Sequence, residues 1–214
     1  MNENNRRLHD LGQSLWVDNI TRGTLDDGTL KGYIEDLSVT GLTSNPTIFE
    51  KAIGGGNDYD AQIAELAASE SDPEQIFFEL AMADLRRAAD DFEEIHEKTD
   101  RVDGYVSLEV SPLLADDTEA TIAQAADLYK RIDRKNVFIK IPGTPAGLPA
   151  IEETIFAGIP VNVTLLFSTE QYLAAADAYL KGVERRIEAG LNPAINSVAS
   201  LFISRWDAAV IDDV

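Results

Sequence analysis

Val137-Phe138-Ile139-Lys140-Ile141-Pro142-Gly143 is an apolar run with a lysine at its centre. A period of two puts Phe138 and Lys140 on one face of a strand and Val137, Ile139 and Ile141 on the other. The aliphatic face suits packing against helices, so Lys140 points to the opposite, inner side. An ammonium so placed must be paired or pass to its neutral form, because burial disfavours the charge. A neutral amine can condense with a carbonyl substrate to a Schiff base. A structural ion pair and a point charge for phosphate are the other roles open to it.

Five similar runs lie around this one: Ser14-Leu15-Trp16-Val17, Val39-Thr40-Gly41-Leu42, Tyr105-Val106-Ser107-Leu108, Val161 to Phe167, and Ala194 to Ala199. They are short and mostly rich in β-branched residues, as strands buried on both faces should be. Helix-period segments separate them. Met82, Leu85, Ala89, Phe92 and Ile95 form one stripe, Ile122, Ala125, Ala126, Tyr129 and Ile132 a second. The third is Tyr172, Ala176, Tyr179, Leu180, Val183 and Ile187. Its helix opens with Ser168-Thr169-Glu170-Gln171, a capping-box pattern in which Ser168 and Gln171 serve each other's backbone, and Gly190 is placed to stop it. Strands joined by crossover helices pair in parallel, which predicts an α/β protein. No linker divides the chain. Gly54-Gly55-Gly56-Asn57 lacks the Lys-Ser/Thr of a phosphate-cradling loop and reads as a turn.

Polar groups interrupt these runs at corresponding places. Asp18 follows the first, Thr43 and Asn45 the second, and Glu109 the third. Asn162 and Thr164 lie within the fifth, and Ser200 follows the sixth. Together with Lys140 they converge on one site if the strands form a barrel, because the C-terminal ends of barrel strands open onto one face. Asp18 and Glu109 are two carboxylates suited to shuttling protons, with an N-cap for Asp18 and a salt bridge for Glu109 as the structural alternatives. Asn45, Asn162 and Thr164 suit hydrogen bonding to a polyol, although Asn45 before Pro46 also suits a turn. Ser200 and Arg205 offer a hydroxyl and a guanidinium for a phosphate, against a surface arginine opening a helix.

Composition narrows the classes. The 214 residues carry 18 Lys+Arg against 38 Asp+Glu, a net charge of −20, which disfavours nucleic-acid binding. The absence of cysteine excludes disulfides, a thiolate nucleophile and Cys-ligated metal. With two histidines, His9 and His96, both expected on the solvated surface, no metal site is expected. No stretch is long and apolar enough to span a bilayer and no signal-peptide pattern follows Met1, so a cytoplasmic protein without membrane contact is expected.

The segments Thr43 to Phe49, Val106 to Val110, Phe138 to Thr144, Val161 to Ser168 and Ser197 to Arg205 together resemble transaldolase, nearest its longer bacterial form, in order and spacing. The resemblance runs from about Leu8 to Arg205. It implies a (β/α)8 TIM barrel of the class I aldolase type, working without a cofactor or metal. Lys140 would form the Schiff base, and Asp18 would take the proton whose loss breaks the C–C bond. Glu109 and Thr164 would hold the proton-relaying water. Asn45 and Asn162 would bind the dihydroxyacetone part, supported by Thr43, while Ser200 and Arg205 would contact the sugar phosphate beside Phe202. The implied reaction moves a dihydroxyacetone unit from sedoheptulose 7-phosphate to glyceraldehyde 3-phosphate in the non-oxidative pentose phosphate pathway.

Length departs from the pattern. Strands five and six fit after Lys140, and residues 206–214 open the next helix, so about six βα units are present where a barrel has eight. The expectation is one (β/α) barrel domain over residues 1–214, C-terminally incomplete, with a homo-oligomer or completion by further sequence as partner readings. Two alternatives stand beside the transferase: an aldolase cleaving fructose 6-phosphate without transfer, and an inactive partial barrel. Short aldolases of this superfamily reach their lysine earlier, which argues against the first.

Overall fold

The computed structural model describes residues 2–211; Met1 and the last three residues of the span read as the opening of a helix lie outside the described residues. The elements alternate as expected. In order they are α1 (Glu3–Asp10), β1 (Leu15–Val17), α2 (Arg22–Asp26), α3 (Thr29–Leu37), β2 (Val39–Leu42), α4 (Pro46–Gly54), α5 (Asp60–Ala67) and α6 (Pro73–Lys98). Then come β3 (Val106–Glu109), a 3-10 turn at Pro112–Leu114, α7 (Thr118–Ile132), β4 (Val137–Pro142), α8 (Gly147–Phe156), β5 (Val161–Leu166), α9 (Thr169–Glu188), β6 (Ser197–Leu201) and α10 (Ile203–Val210). The strands follow chain order from β1 to β6, and the registered pairs are parallel. Sequential parallel strands with intervening helices are the strand order of (β/α) barrel proteins. Among the described residues no helix is long and apolar enough to cross a membrane.

The chain divides into two compact units. The first comprises Met1–Leu108 with Arg131–Val137, the second Glu109–Lys130 with Phe138–Val214. In the first, β1 pairs with β2 through Trp16 and Gly41, and a Cβ on Gly41 would lie 2.4 Å from the Trp16 ring. Only glycine leaves room for that indole. Helix α6 starts at Asp72, whose carboxylate accepts from Glu74 N, with Pro73 at the first helical position. Its inner face is Phe78, Ala81, Met82, Leu85, Ala88, Ala89 and Phe92.

That face carries a correction: His96, expected in solvent, is 5% exposed. It lies four residues beyond Phe92 and so takes the inward position that the sequence reading assigned to Ile95. Its Nδ1 donates to Asp103 O over 2.9 Å, and its ring meets Tyr105 edge to face. Hydrogen bonding makes the burial affordable for a polar ring. His9 is exposed as expected.

In the second unit β4 and β5 are buried almost throughout, between Ile139 and Ile141 on one strand and Val161 and Val163 on the next. Helix α9 packs on α8 through small residues. A Cβ on Gly182 would come within 2.8 Å of Glu152 O and Ile155. The buried residues of α9 are therefore Ala175, Ala178 and Gly182, joined by Arg186, whose guanidinium donates to Phe156 O and Asn192 O, while Leu180 and Ile187 of the expected stripe are more than half exposed. Close approach of two helices selects small side chains, and that seam outranks the larger apolar ones beside it. The cap of α9 also differs by one residue. Ser168 accepts from Gln171 N as read, but the Gln171 amide oxygen accepts from Phe167 N over 2.8 Å, not from Ser168. Gly190 ends the helix at φ +68°, with Leu191 N donating to Arg186 O. Strand β6 is the last of the sheet among the described residues and is half-exposed, not buried on both faces.

Candidate functional site

In the second unit the register of three strands assembles a polar cluster. Val110 N donates to Lys140 O, Lys140 lies level with Asn162, and Asn162 lies level with Val198. Because successive residues alternate between faces, Lys140 shares its face with Asn162 and Thr164, while Ile139, Ile141 and Val163 turn toward the helices. Lys140 is 5% exposed, and its Nζ stands 3.3 Å from Glu109 Oε2 at the end of β3. Asn162 and Thr164 are buried at 1% and 2%. Ser200 Oγ donates to Asn162 Oδ1 over 2.8 Å, joining the residues read from the fifth and sixth runs. An amine, a carboxylate, an amide and two hydroxyls thus line one face, a set that offers both donors and acceptors beside one amine.

Phe202 and Arg205 follow β6 directly. The Arg205 guanidinium lies 4.5 Å from the centre of the Phe202 ring and 5.8 Å from that of Phe167. The two rings stack at 5.5 Å with 21° between their planes. Phe167 was not among the residues singled out from sequence. Only its place after Leu166, at the end of a run that bears two polar residues, marked it.

The remaining predicted residues belong to the first unit. Asp18 is exposed in the loop between β1 and α2 and does not cap that helix, whose N-cap is Thr21. Thr43 continues β2, its N–H donating to Val17 O over 2.9 Å. Asn45 caps α4: its Oδ1 accepts from Ile48 N over 2.9 Å, ahead of Pro46 at the first helical position. The turn role weighed for Asn45 is therefore present, and its NH2 group keeps two donors for a ligand.

A family model for transaldolase/fructose-6-phosphate aldolase matches residues 15–213. Curated relatives are similar over nearly the whole chain. Transaldolase 2 of Nostoc punctiforme is 48% identical over 198 residues, 92% of this chain and 52% of the relative. The transaldolase of Mycolicibacterium paratuberculosis is 49% identical over 210 residues, covering 98% and 56%, and that of Trichodesmium erythraeum 49% identical over 205, covering 95% and 54%. The chain thus spans about half the length of the curated relatives it matches. A sheet of parallel strands in chain order, a buried lysine on the fourth strand and a family match running from β1 through α10 agree: the chain belongs to the transaldolase/fructose-6-phosphate aldolase family.

Proposed function

We propose that the protein is a transaldolase, a transferase that moves a dihydroxyacetone unit from sedoheptulose 7-phosphate to glyceraldehyde 3-phosphate through a Schiff base on Lys140. The observation that carries the proposal is the amine itself: Lys140 is buried beside Glu109 in a chain of this family. Lys140 attacks the ketose carbonyl carbon, and the carbinolamine loses water to give the imine. Glu109, with Thr164, holds the water that passes protons during that gain and loss. Asp18 takes the proton from the hydroxyl whose ionisation breaks the C–C bond, leaving the three-carbon unit on the lysine as an enamine. The incoming aldehyde is attacked by that enamine, and Asp18 returns the proton. Asn162 and Asn45 hold the hydroxyls of the three-carbon unit, with Thr43 supporting Asn45. Ser200, Phe202 and Arg205 form the side toward the sugar phosphate. The proposal includes residues 1–214 acting as one (β/α) barrel domain, in the cytoplasm.

Borohydride trapping tests it. The protein is incubated with fructose 6-phosphate, reduced and digested, and a three-carbon adduct is expected on Lys140 by mass spectrometry. No adduct on folded protein would remove the catalytic reading. Supplying erythrose 4-phosphate as acceptor separates transfer from cleavage: sedoheptulose 7-phosphate is expected, and free dihydroxyacetone in its place would indicate the aldolase.

A further inference from the structure

Strand β5 contains a conformation that its sequence gives no reason to expect. Leu165 sits at φ +59°, the left-handed region, where a non-glycine residue costs about 1 kcal/mol or more. The register to β6 slips at this point, between Val163 and Leu166. The consequence is visible at Gly143. A Cβ built there would meet Leu166 Cδ2 at 2.6 Å and Val163 Cγ1 at 3.4 Å, so Val163 and Leu166 lie on the same side of the strand. In an unbroken strand, residues three apart face opposite sides. The bulge therefore inverts the alternation, and Phe167 is delivered to the side of Asn162 and Thr164.

Phe167 is then held at every handle it has. Its N–H donates to Gln171 Oε1, its carbonyl accepts from Trp206 Nε1 over 2.8 Å, and its ring stacks on Phe202. Phe202 N donates to Leu166 O, which ties the end of β6 to the same bulge. The only cation over the face of both rings among the described residues is Arg205. An exposed arginine otherwise samples many rotamers, at an ordering cost that a bound phosphate must offset. Two aromatic faces remove part of that freedom before the ligand arrives.

We propose that Phe167, aimed by the strained Leu165, is a positioning residue that holds the Arg205 guanidinium for the phosphate of the sugar. The inference rests on the proposed role of Arg205 and adds a residue that acts through it. Two measurements test it, the first independent of the lysine chemistry. Inorganic phosphate is titrated into the native protein, Phe167→Leu and Phe167→Tyr by 31P NMR. The dissociation constant is expected to rise about three- to fivefold in Phe167→Leu and to return to the native value in Phe167→Tyr, which restores the ring face. In Arg205→Ala the further change Phe167→Leu is expected to add nothing. In the second, the half-saturating concentration for adduct formation on Lys140 should rise similarly for fructose 6-phosphate and stay unchanged for fructose. Unchanged phosphate affinity in Phe167→Leu, or equal weakening of both sugars, would overturn the role of Phe167. Loss of the adduct with an intact phosphate response would instead count against the Schiff-base reading alone.

Discussion

The two units each bury a charged grouping, and the two groupings are built differently. In the first, Asp84 of α6 is fully buried and saturated. It accepts from Arg22 Nε at 2.9 Å and from the Tyr59 hydroxyl at 2.7 Å, with Arg22 Nη2 also at 2.9 Å. The circuit closes on itself, because the Tyr59 oxygen accepts from Arg22 N and the guanidinium lies 4.3 Å from the Tyr59 ring centre. In the second, Lys140 meets Glu109 at a looser 3.3 Å, and the Glu109 side chain remains 16% exposed. The first grouping is short and centred on a fully buried carboxylate, whereas the Lys140–Glu109 pair is longer and has one partner at the edge. On the proposed function, rigidity and reactivity belong to different charge pairs.

The widest gap between them should appear in stability. Asp84→Ala leaves the Arg22 guanidinium and the Tyr59 hydroxyl without their buried acceptor, and the expected loss is about 3–5 kcal/mol. Lys140→Met replaces a buried stem with one of similar volume and should cost less than about 1.5 kcal/mol while abolishing the borohydride adduct. Urea denaturation of both variants checks the contrast. Equal losses would mean that the Lys140 pair is also a structural clasp.

Glu109→Gln cuts from the other side, at a smaller expected effect. The amide keeps the shape and loses the proton-accepting charge, so adduct formation should slow by about 10²–10³-fold in a quenched time course. The final yield at saturation should stay near the native one, since the lysine remains. A native rate would leave Glu109 as a counterion and nothing more.

These pairs also show what could be read from residues alone. Lys140 was legible because a charge inside a β-branched run contradicts its surroundings, and β2 occupies its run from Val39 to Leu42 without a residue's error. Asn162 and Ser200 were legible for the same reason, though not the hydrogen bond between them. The clasp at Asp84 was not. Its three members are spread from Arg22 to Asp84, and an aspartate within a helix rich in acids looks like any solvated one. His96 was misplaced because its polar neighbours suggested surface, while helical phase put it inside. The buried face of α9 was misjudged because packing distance, which selected Gly182, leaves no mark in hydrophobicity. The bulge at Leu165 had no local signal at all: its sequence is that of an ordinary strand, and the left-handed residue shows only in the backbone.

The finest comparison is within the clasp itself, between its charge and its hydroxyl. Tyr59→Phe deletes two hydrogen bonds, the one donated to Asp84 and the one accepted from Arg22 N, and should cost about 2 kcal/mol at neutral pH. Burial raises the Asp84 carboxyl above its ordinary range, outweighing the Tyr59 hydrogen bond and the Arg22 charge that pull it down. Burial, with the Asp84 bond adding to it, also pushes the Tyr59 hydroxyl well above its usual range, so it stays a donor throughout. The folded protein therefore binds the Asp84 proton more tightly than the unfolded chain does. The stability this proton contributes is full below the ordinary carboxylate range and is lost as pH climbs through the raised one. Removing the Tyr59 donor raises the carboxyl further, because that bond favours the charged form. The deficit of Tyr59→Phe should accordingly be smallest in acid and grow as pH rises through the window, read from urea midpoints at a series of pH values. A deficit independent of pH would show that the hydroxyl acts on Arg22 N and not on the carboxylate, and the clasp would then be two separate contacts in place of one circuit.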